Sequence, residues 1–262
     1  MIRLTVALED GVNMAKKSEI EPKIRKVLAA VRRAEECGTP YHEAGHAVGH
    51  FVCGYAYGKI ESISVRKRNK TAGGKRWTIH GSIRFTSQDE DVNYTASVFK
   101  ESTEPFVRKI AKDDLTGHIV GTLAGLAAEW KWRKDPFPLD WLCNVWSGVG
   151  EKCSNTDVAY AFALAKVLTA NNDETAGLLL EKVAAWTTEL IHVPRVWKVI
   201  EALACELDSR KSITGIEAYD VMVHAWDCKP HAYPAGQLGE IWRRRLFSGL
   251  RQSEAWNKPP AA

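Results

Sequence analysis

A mainly helical α+β fold, with one small β-hairpin set among amphipathic helices, is the fold class this sequence predicts. Three observations carry that expectation. Apolar residues recur at helical spacing in long segments, such as Ile24, Val27, Leu28 and Val31, or Ile119, Val120, Leu123, Leu126 and Trp130. Apolar and polar residues alternate on the two sides of Gly73-Gly74. The composition, 45% hydrophobic and 26% charged over 262 residues, is that of a globular chain. A core of that size needs no disulfide staples.

Taken in order, residues 15–37 are charge-rich and read as an amphipathic helix, which Gly38-Thr39-Pro40 breaks. A second, more apolar helix runs from Tyr41 to about Tyr55. The hairpin pairs Ile60–Lys67, where Ile63 and Val65 alternate with polar residues, with Trp77–Thr86, where Trp77, Ile79, Ile83 and Phe85 share one side. Gly81 interrupts the second strand and signals a bulge or a close backbone approach. Residues 89–113 are polar, then helical, and a strongly apolar helix spans Leu115 to about Arg133. Residues 134–153 form a long loop with Pro136, Pro138, Gly148 and Gly150. Ser154-Asn155 is a helix N-cap, and that helix continues to about Ala170. Helices follow at 173–192 and 195–208, divided at Pro194, and a short one starts near Thr214. The expected organisation is an N-terminal helical segment (1–37), a central domain (38–226) and an irregular arm (227–262) with four prolines.

Several classes of function are disfavoured. A net charge of +4 does not demand a nucleic-acid partner. No run of about 18 apolar residues encodes a transmembrane helix, and the first 13 residues, with Glu9 and Asp10, lack the apolar stretch of a signal peptide. The six cysteines (37, 53, 143, 153, 205 and 228) form no CxxC pair. They read as buried or free thiols in a reducing compartment, and the expected location is cytoplasmic. Lys59 to Arg76 holds seven basic residues and one acid, read as a solvated hairpin loop, with a DNA-associated regulator as the alternative. Arg243-Arg244-Arg245 reads similarly. Trp130, Trp132, Phe137, Trp141 and Trp146 read as a folded lid or extra core, the alternative being a partner or membrane-surface patch.

The sharp chemical signal is His42-Glu43-Ala44-Gly45-His46. On a helix, residues four apart lie about 40° apart on one face, so both imidazoles can address one metal ion. Glu43 lies beside them, within reach of a metal-bound water, which is the HExxH arrangement of zinc peptidases. Two core-facing histidines are the bland alternative. Gly45 argues against it, because glycine costs about 1 kcal/mol inside a helix and calls for a reason, such as another segment approaching closely over the metal. A catalytic zinc takes a third protein ligand and keeps an open position. Asp157, in the first turn of a helix whose dipole favours an ionised carboxylate, and Glu129, near the end of the apolar helix, are both candidates.

The stretch His42-Glu43-Ala44-Gly45-His46-Ala47 resembles the protease domain of the FtsH family of ATP-dependent zinc metalloproteases. Three further stretches agree in order: Gly121 to Glu129 with that family's GxxAAE segment, Cys153-Ser-Asn-Thr-Asp157 with its G-A-x-x-D segment, and Leu203 to Val221 with its closing helices. The resemblance covers roughly residues 38–225. It implies a zincin-like fold for the central domain, Zn2+ as cofactor, Asp157 as third ligand, Glu43 as general base, and Glu129 as a hydrogen-bond partner orienting a ligand imidazole. A helix-end salt bridge is the alternative for Glu129. The sequence departs from the family in three ways. It contains no G-x-x-x-x-G-K-[ST] phosphate loop, Cys153-Ser154 stands in place of G-A, and the stretch between His46 and Asp157 is expanded.

The function this implies is a soluble, ATP-independent zinc metalloendopeptidase acting on flexible or unfolded polypeptides, with Glu43 activating a zinc-bound water. His80 and Tyr41 are candidates for a second oxyanion donor. The strand 77–86, with His80 and Gly81, is a candidate for holding a substrate peptide by strand addition. The alternatives are a catalytically silent pseudoprotease serving as a regulatory binding module, or a peptidase subunit that docks on a separate ATPase. A homo-oligomer is the other partner expectation.

Overall fold

Two helices that cross at very short range frame the central domain, and small residues set that range. The computed structural model describes residues 38–54, 60–69, 77–85, 88–135 and 157–226. The chain divides into two units, Met1–Cys37 and Gly38–Ala262, and everything described belongs to the second. The expected helix at 15–37, residues 70–76 of the basic stretch with the Gly73-Gly74 turn, the loop from Pro136 with Phe137, Trp141 and Trp146, the Ser154-Asn155 cap and the arm from Asp227 lie outside the described residues, whereas Trp130 and Trp132 of the Trp-rich stretch are helical.

Helix α1 spans 38–53. Gly38, Thr39 and Pro40 are therefore helical, where a break was expected. Helix α3 (Pro105–Arg133) crosses α1 so closely that a Cβ on Gly45 would lie 2.5 Å from the Ala124 carbonyl oxygen, and one on Gly49 would lie 2.6 Å from Ala124 Cβ. The segment whose approach requires Gly45 is thus α3.

At 29 residues, α3 is about 43 Å long. It begins ten residues before the expected start, with Pro105 in its first turn, and its first part carries Phe106 and Ile110 exposed. The sequence there reads as polar, then helical, and that part is helical; it lacks the core-facing stripe that would have joined it to the apolar helix. Helix α2 (Gln88–Glu101) precedes it and packs on it. From Leu115 onward α3 is the axis of the core, flanked by α4 (Asp157–Leu168) and α5 (Asp173–His192). Leu115, Ile119, Leu123, Leu180 and Ile191 are fully buried. Helix α6 (Pro194–Arg210) begins on its proline, as the sequence indicates, and adds Ile200, Leu203 and Leu207.

The sheet has three antiparallel strands in the order β2-β1-β3. Strands β1 (Ile60–Asn69) and β2 (Trp77–Phe85) form the expected hairpin, with Ile63 opposite Ile83 and Val65 opposite Gly81. The register shift lies between Ile60 and Ser62. Gly81 is in register, so of its two readings the bulge is wrong. Strand β3 (Ser212–Thr214) was not expected, since three residues are too few for alternation to show. It leads into α7 (Gly215–Ala225) through a capping box: Thr214 accepts from the Glu217 N–H, and the Glu217 carboxylate accepts from the Thr214 N–H. No helix among the described residues is long and apolar enough to cross a membrane.

Candidate metal centre

His42 and His46 lie one turn apart on α1, and both Nε2 atoms point at the same carboxylate. His42 Nε2 is 3.1 Å from Asp157 Oδ2, His46 Nε2 is 3.4 Å from the same oxygen, and the two Nε2 atoms are 3.0 Å apart. Asp157 opens α4, where the helix N-terminus favours a carboxylate. Among the described residues this is the one group of three such side chains whose ligand atoms converge, and it can hold a metal ion.

The outer hydrogen bonds decide what the inner atoms offer. His42 Nδ1–H donates to Glu129 Oε2 at 3.0 Å, and His46 Nδ1–H donates to the Gly121 carbonyl at 3.0 Å. With each Nδ1 proton committed outward, the neutral rings present bare Nε2 lone pairs toward the Asp157 oxygen. Three such atoms at this range need a shared proton or a metal cation between them. Donor atoms bound 2.0–2.1 Å from one tetrahedral zinc are about 3.3 Å apart, and the observed edges of 3.0, 3.1 and 3.4 Å match that triangle. A tetrahedral ion held by these three would have one further ligand to find. A two-histidine, one-carboxylate set also suits other divalent first-row ions, so the geometry defines a metal-capable centre without naming the metal.

With protons as the only cations, the same geometry shifts the titrations. Burial opposes a charged His42, but the hydrogen bonds to Asp157 and Glu129 outweigh it and raise its pKa to about 10. Asp157 is also penalised by burial, yet its bonds from His42 and His46 hold it well below the usual carboxylate range. Glu129 moves down too, as His42 and then Arg133 outweigh its burial. Glu43 moves the other way. Burial raises its pKa, opposed by His46 and His42 and reinforced by Asp157 and Glu129.

Glu43 is buried at 6% exposure on α1 and lies against β2. A Cβ at Gly81 would sit 2.0 Å from Glu43 Oε1 and 2.4 Å from its Cδ. The close approach read from Gly81 is thus real, and what approaches is the Glu43 carboxylate. His80, the neighbouring candidate, is in β2 opposite Arg66, and its side chain lies outside the described residues. Tyr41 does not join the centre as an oxyanion donor. Its ring is stacked between Trp132 and Trp197, with centroids 5.5 and 5.7 Å away, and burial followed by Cys205, Glu201 and Asp208 raises its pKa.

Sequence reasoning missed three contributors. The Gly121 carbonyl is main chain and carries no sequence signal. Arg133, paired with Glu129, is four residues further along α3, a spacing that would have revealed it. His50 extends the row 42, 46, 50 on α1. Its ring packs over Gly121 and faces His118, 5.6 Å between centroids, and burial followed by His118 and His46 keeps it neutral.

No protein-family model matches the chain, and comparison with curated proteins finds no match.

Proposed function

We propose that the central domain is a zincin-like peptidase domain and that the chain is a zinc metalloendopeptidase cutting flexible or unfolded polypeptides. One observation carries the reading: two imidazoles and a carboxylate converge with zinc-like spacing beside a buried glutamate that none of them needs as a ligand. A purely metal-storing or structural centre has no use for Glu43, whereas hydrolysis needs a base there. The ordered likeness to the FtsH protease segments supports the same assignment of His42, His46 and Asp157 as ligands. When bound, a zinc ion supplies Lewis acidity to the scissile carbonyl and acidifies water toward a pKa of about 7.

The chain's own residues do the rest. Glu43 takes a proton from the attacking water and returns it to the leaving amine, and its burial-raised proton affinity suits that exchange. Glu129 and the Gly121 carbonyl hold the imidazoles in the metal-binding tautomer. Among the described residues β2 pairs on one side only, and its other edge offers backbone groups to an extended peptide next to Glu43. An extended substrate is a flexible or unfolded one.

The test combines metal content with cleavage of a labelled, permanently unfolded protein. The wild-type chain is expected to carry about one zinc, and Glu43→Gln to keep the zinc but lose at least ~100-fold in rate. Asp157→Ala is expected to lose both. Full zinc occupancy with no hydrolysis above the Glu43→Gln background refutes the peptidase and leaves a binding module.

A further inference from the structure

We propose that Arg133 is a positioning residue of the metal centre, acting through Glu129 on His42. This rests on the metal reading above and extends it one layer outward. The two oxygens of Glu129 are divided between two partners: Oε2 accepts from His42 Nδ1–H at 3.0 Å, and Oε1 accepts from Arg133 Nη2. Gly38 closes the third side, since a Cβ there would stand 3.1 Å from Glu129 Cγ. The carboxylate therefore has one orientation, and Arg133 fixes the end that His42 does not.

The guanidinium is itself held. It lies 6.0 Å over the Trp130 ring, and its Nη2 is spent on the carboxylate. A planar fork with a fixed direction is what this task needs, because a carboxylate free to rotate about its last bond would turn Oε2 away from Nδ1. His42 would then lose the acceptor that commits its proton outward, and Nε2 would no longer be kept bare for the ion. An ordinary i,i+4 surface pair adds little to a helix and reaches nothing else. Here the pair ends on a metal ligand.

The experiment titrates the metal-free chain with zinc against a chromophoric competitor. It uses wild type, Arg133→Ala, Arg133→Gln and Arg133→Lys, each also in a Glu129→Ala background. Outer partners of metal-bound histidines are worth 10–100-fold in affinity, so removing the residue behind one is expected to weaken zinc about ten-fold. Lysine should recover part of that loss. In the Glu129→Ala background the Arg133 changes should have no further effect, because the route to His42 is gone. Exchange of the His42 Nδ1 proton in the zinc-loaded chain should quicken in Arg133→Ala, which a role in helix stability alone would not cause. Arg210→Ala, which removes a comparable pair with Glu217, is the control and should leave zinc affinity unchanged. If Arg133→Ala does not fold, Arg133→Gln decides, since it keeps two of the three stem methylenes and removes the guanidinium. Wild-type affinity in the Arg133 variants, or an equal loss without Glu129, overturns the proposal while the metal reading stands. A wild-type chain that binds no zinc overturns both.

Discussion

Replacing Gly81 with alanine adds one methyl group, and the structure says where it lands. The new Cβ would be 2.0 Å from Glu43 Oε1 and 2.4 Å from Cγ and Cδ, where ordinary contact begins near 3.4 Å. The carboxylate must retreat by about 1.4 Å. It cannot do so by moving α1 as a body, because Gly45 already rests against the Ala124 carbonyl on α3. The Glu43 side chain has to leave its rotamer, or β2 has to bend away. Overpacking of this kind costs about 1–3 kcal/mol. At about 2–4 °C per kcal/mol for a domain of this size, the melting temperature should fall by roughly 2–12 °C. A general base displaced by more than 1 Å costs about 100-fold in turnover. None of the three ligand atoms is touched, so zinc content should stay at the wild-type level. A second measurement needs no activity. In a Glu43→Ala background the collision is gone, so Gly81→Ala should cost at least about 1 kcal/mol less there than in wild type. Wild-type turnover in Gly81→Ala, or equal stability costs in the two backgrounds, would refute the placement of Glu43 against β2.

Three further outcomes follow from the same structure. His42 holds a proton up to a pKa of about 10 and must release it to bind an ion, so zinc binding near pH 7.5 should free about one proton per ion. Calorimetry in buffers of different ionisation enthalpy measures this. The sign for stability is that of a raised histidine: the contribution is complete below its ordinary pKa of 6.5 and is lost as pH rises through about 10. The metal-free chain should therefore weaken to urea across that window more than the zinc-loaded one. Thr214→Ala removes one half of the capping box on α7 and should cost about 1 kcal/mol in urea unfolding with no change in zinc affinity.

What the sequence disclosed follows from how local each feature is. Pro194 marks the boundary between α5 and α6 by its own chemistry, with α5 ending at His192 and α6 beginning on the proline. His42 and His46 are four residues apart on one helix, so their convergence needs no knowledge of the fold. The choice between Asp157 and Glu129 does need it. Glu129 is 87 residues from His42 in the chain, and only the crossing of α1 and α3 puts its carboxylate on Nδ1, with Asp157 on Nε2. Gly81 announced something unusual, but a bulge and a close approach demand the same residue. The helical reading of the end of 89–113 holds, but its continuity with the apolar helix from Leu115 was not visible, because Phe106 and Ile110 are exposed there. Strand β3 exists because β1 offers it an edge, a cause that lies outside its own three residues.

The outer layer of the centre has a pattern of its own, carried by two facing rows with a four-residue step. On α1 the row is His42, His46 and His50. On α3 it is Arg133, Glu129, Gly125 and Gly121, running in the opposite direction. His42 meets Glu129, the His46 ring lies over Gly125 and bonds the Gly121 carbonyl, and the His50 ring lies over Gly121. A Cβ at Gly125 would come within 2.4 Å of His46 Nε2, and one at Gly121 within 2.5 Å of the His50 ring. Ridges of this spacing interdigitate only when one row is small where the other is large. The HExxH spacing alone aims two rings at a point and leaves their tautomers open. The α3 row settles the tautomers, with a carboxylate for one ring and a carbonyl for the other, and its glycines let the rings come near enough to be held. A helix that combined two chance histidines with a glycine would have no reason to face a partner row matched to them residue by residue. That match is the strongest physical argument that the imidazoles are placed for an ion and are not merely packed in the core.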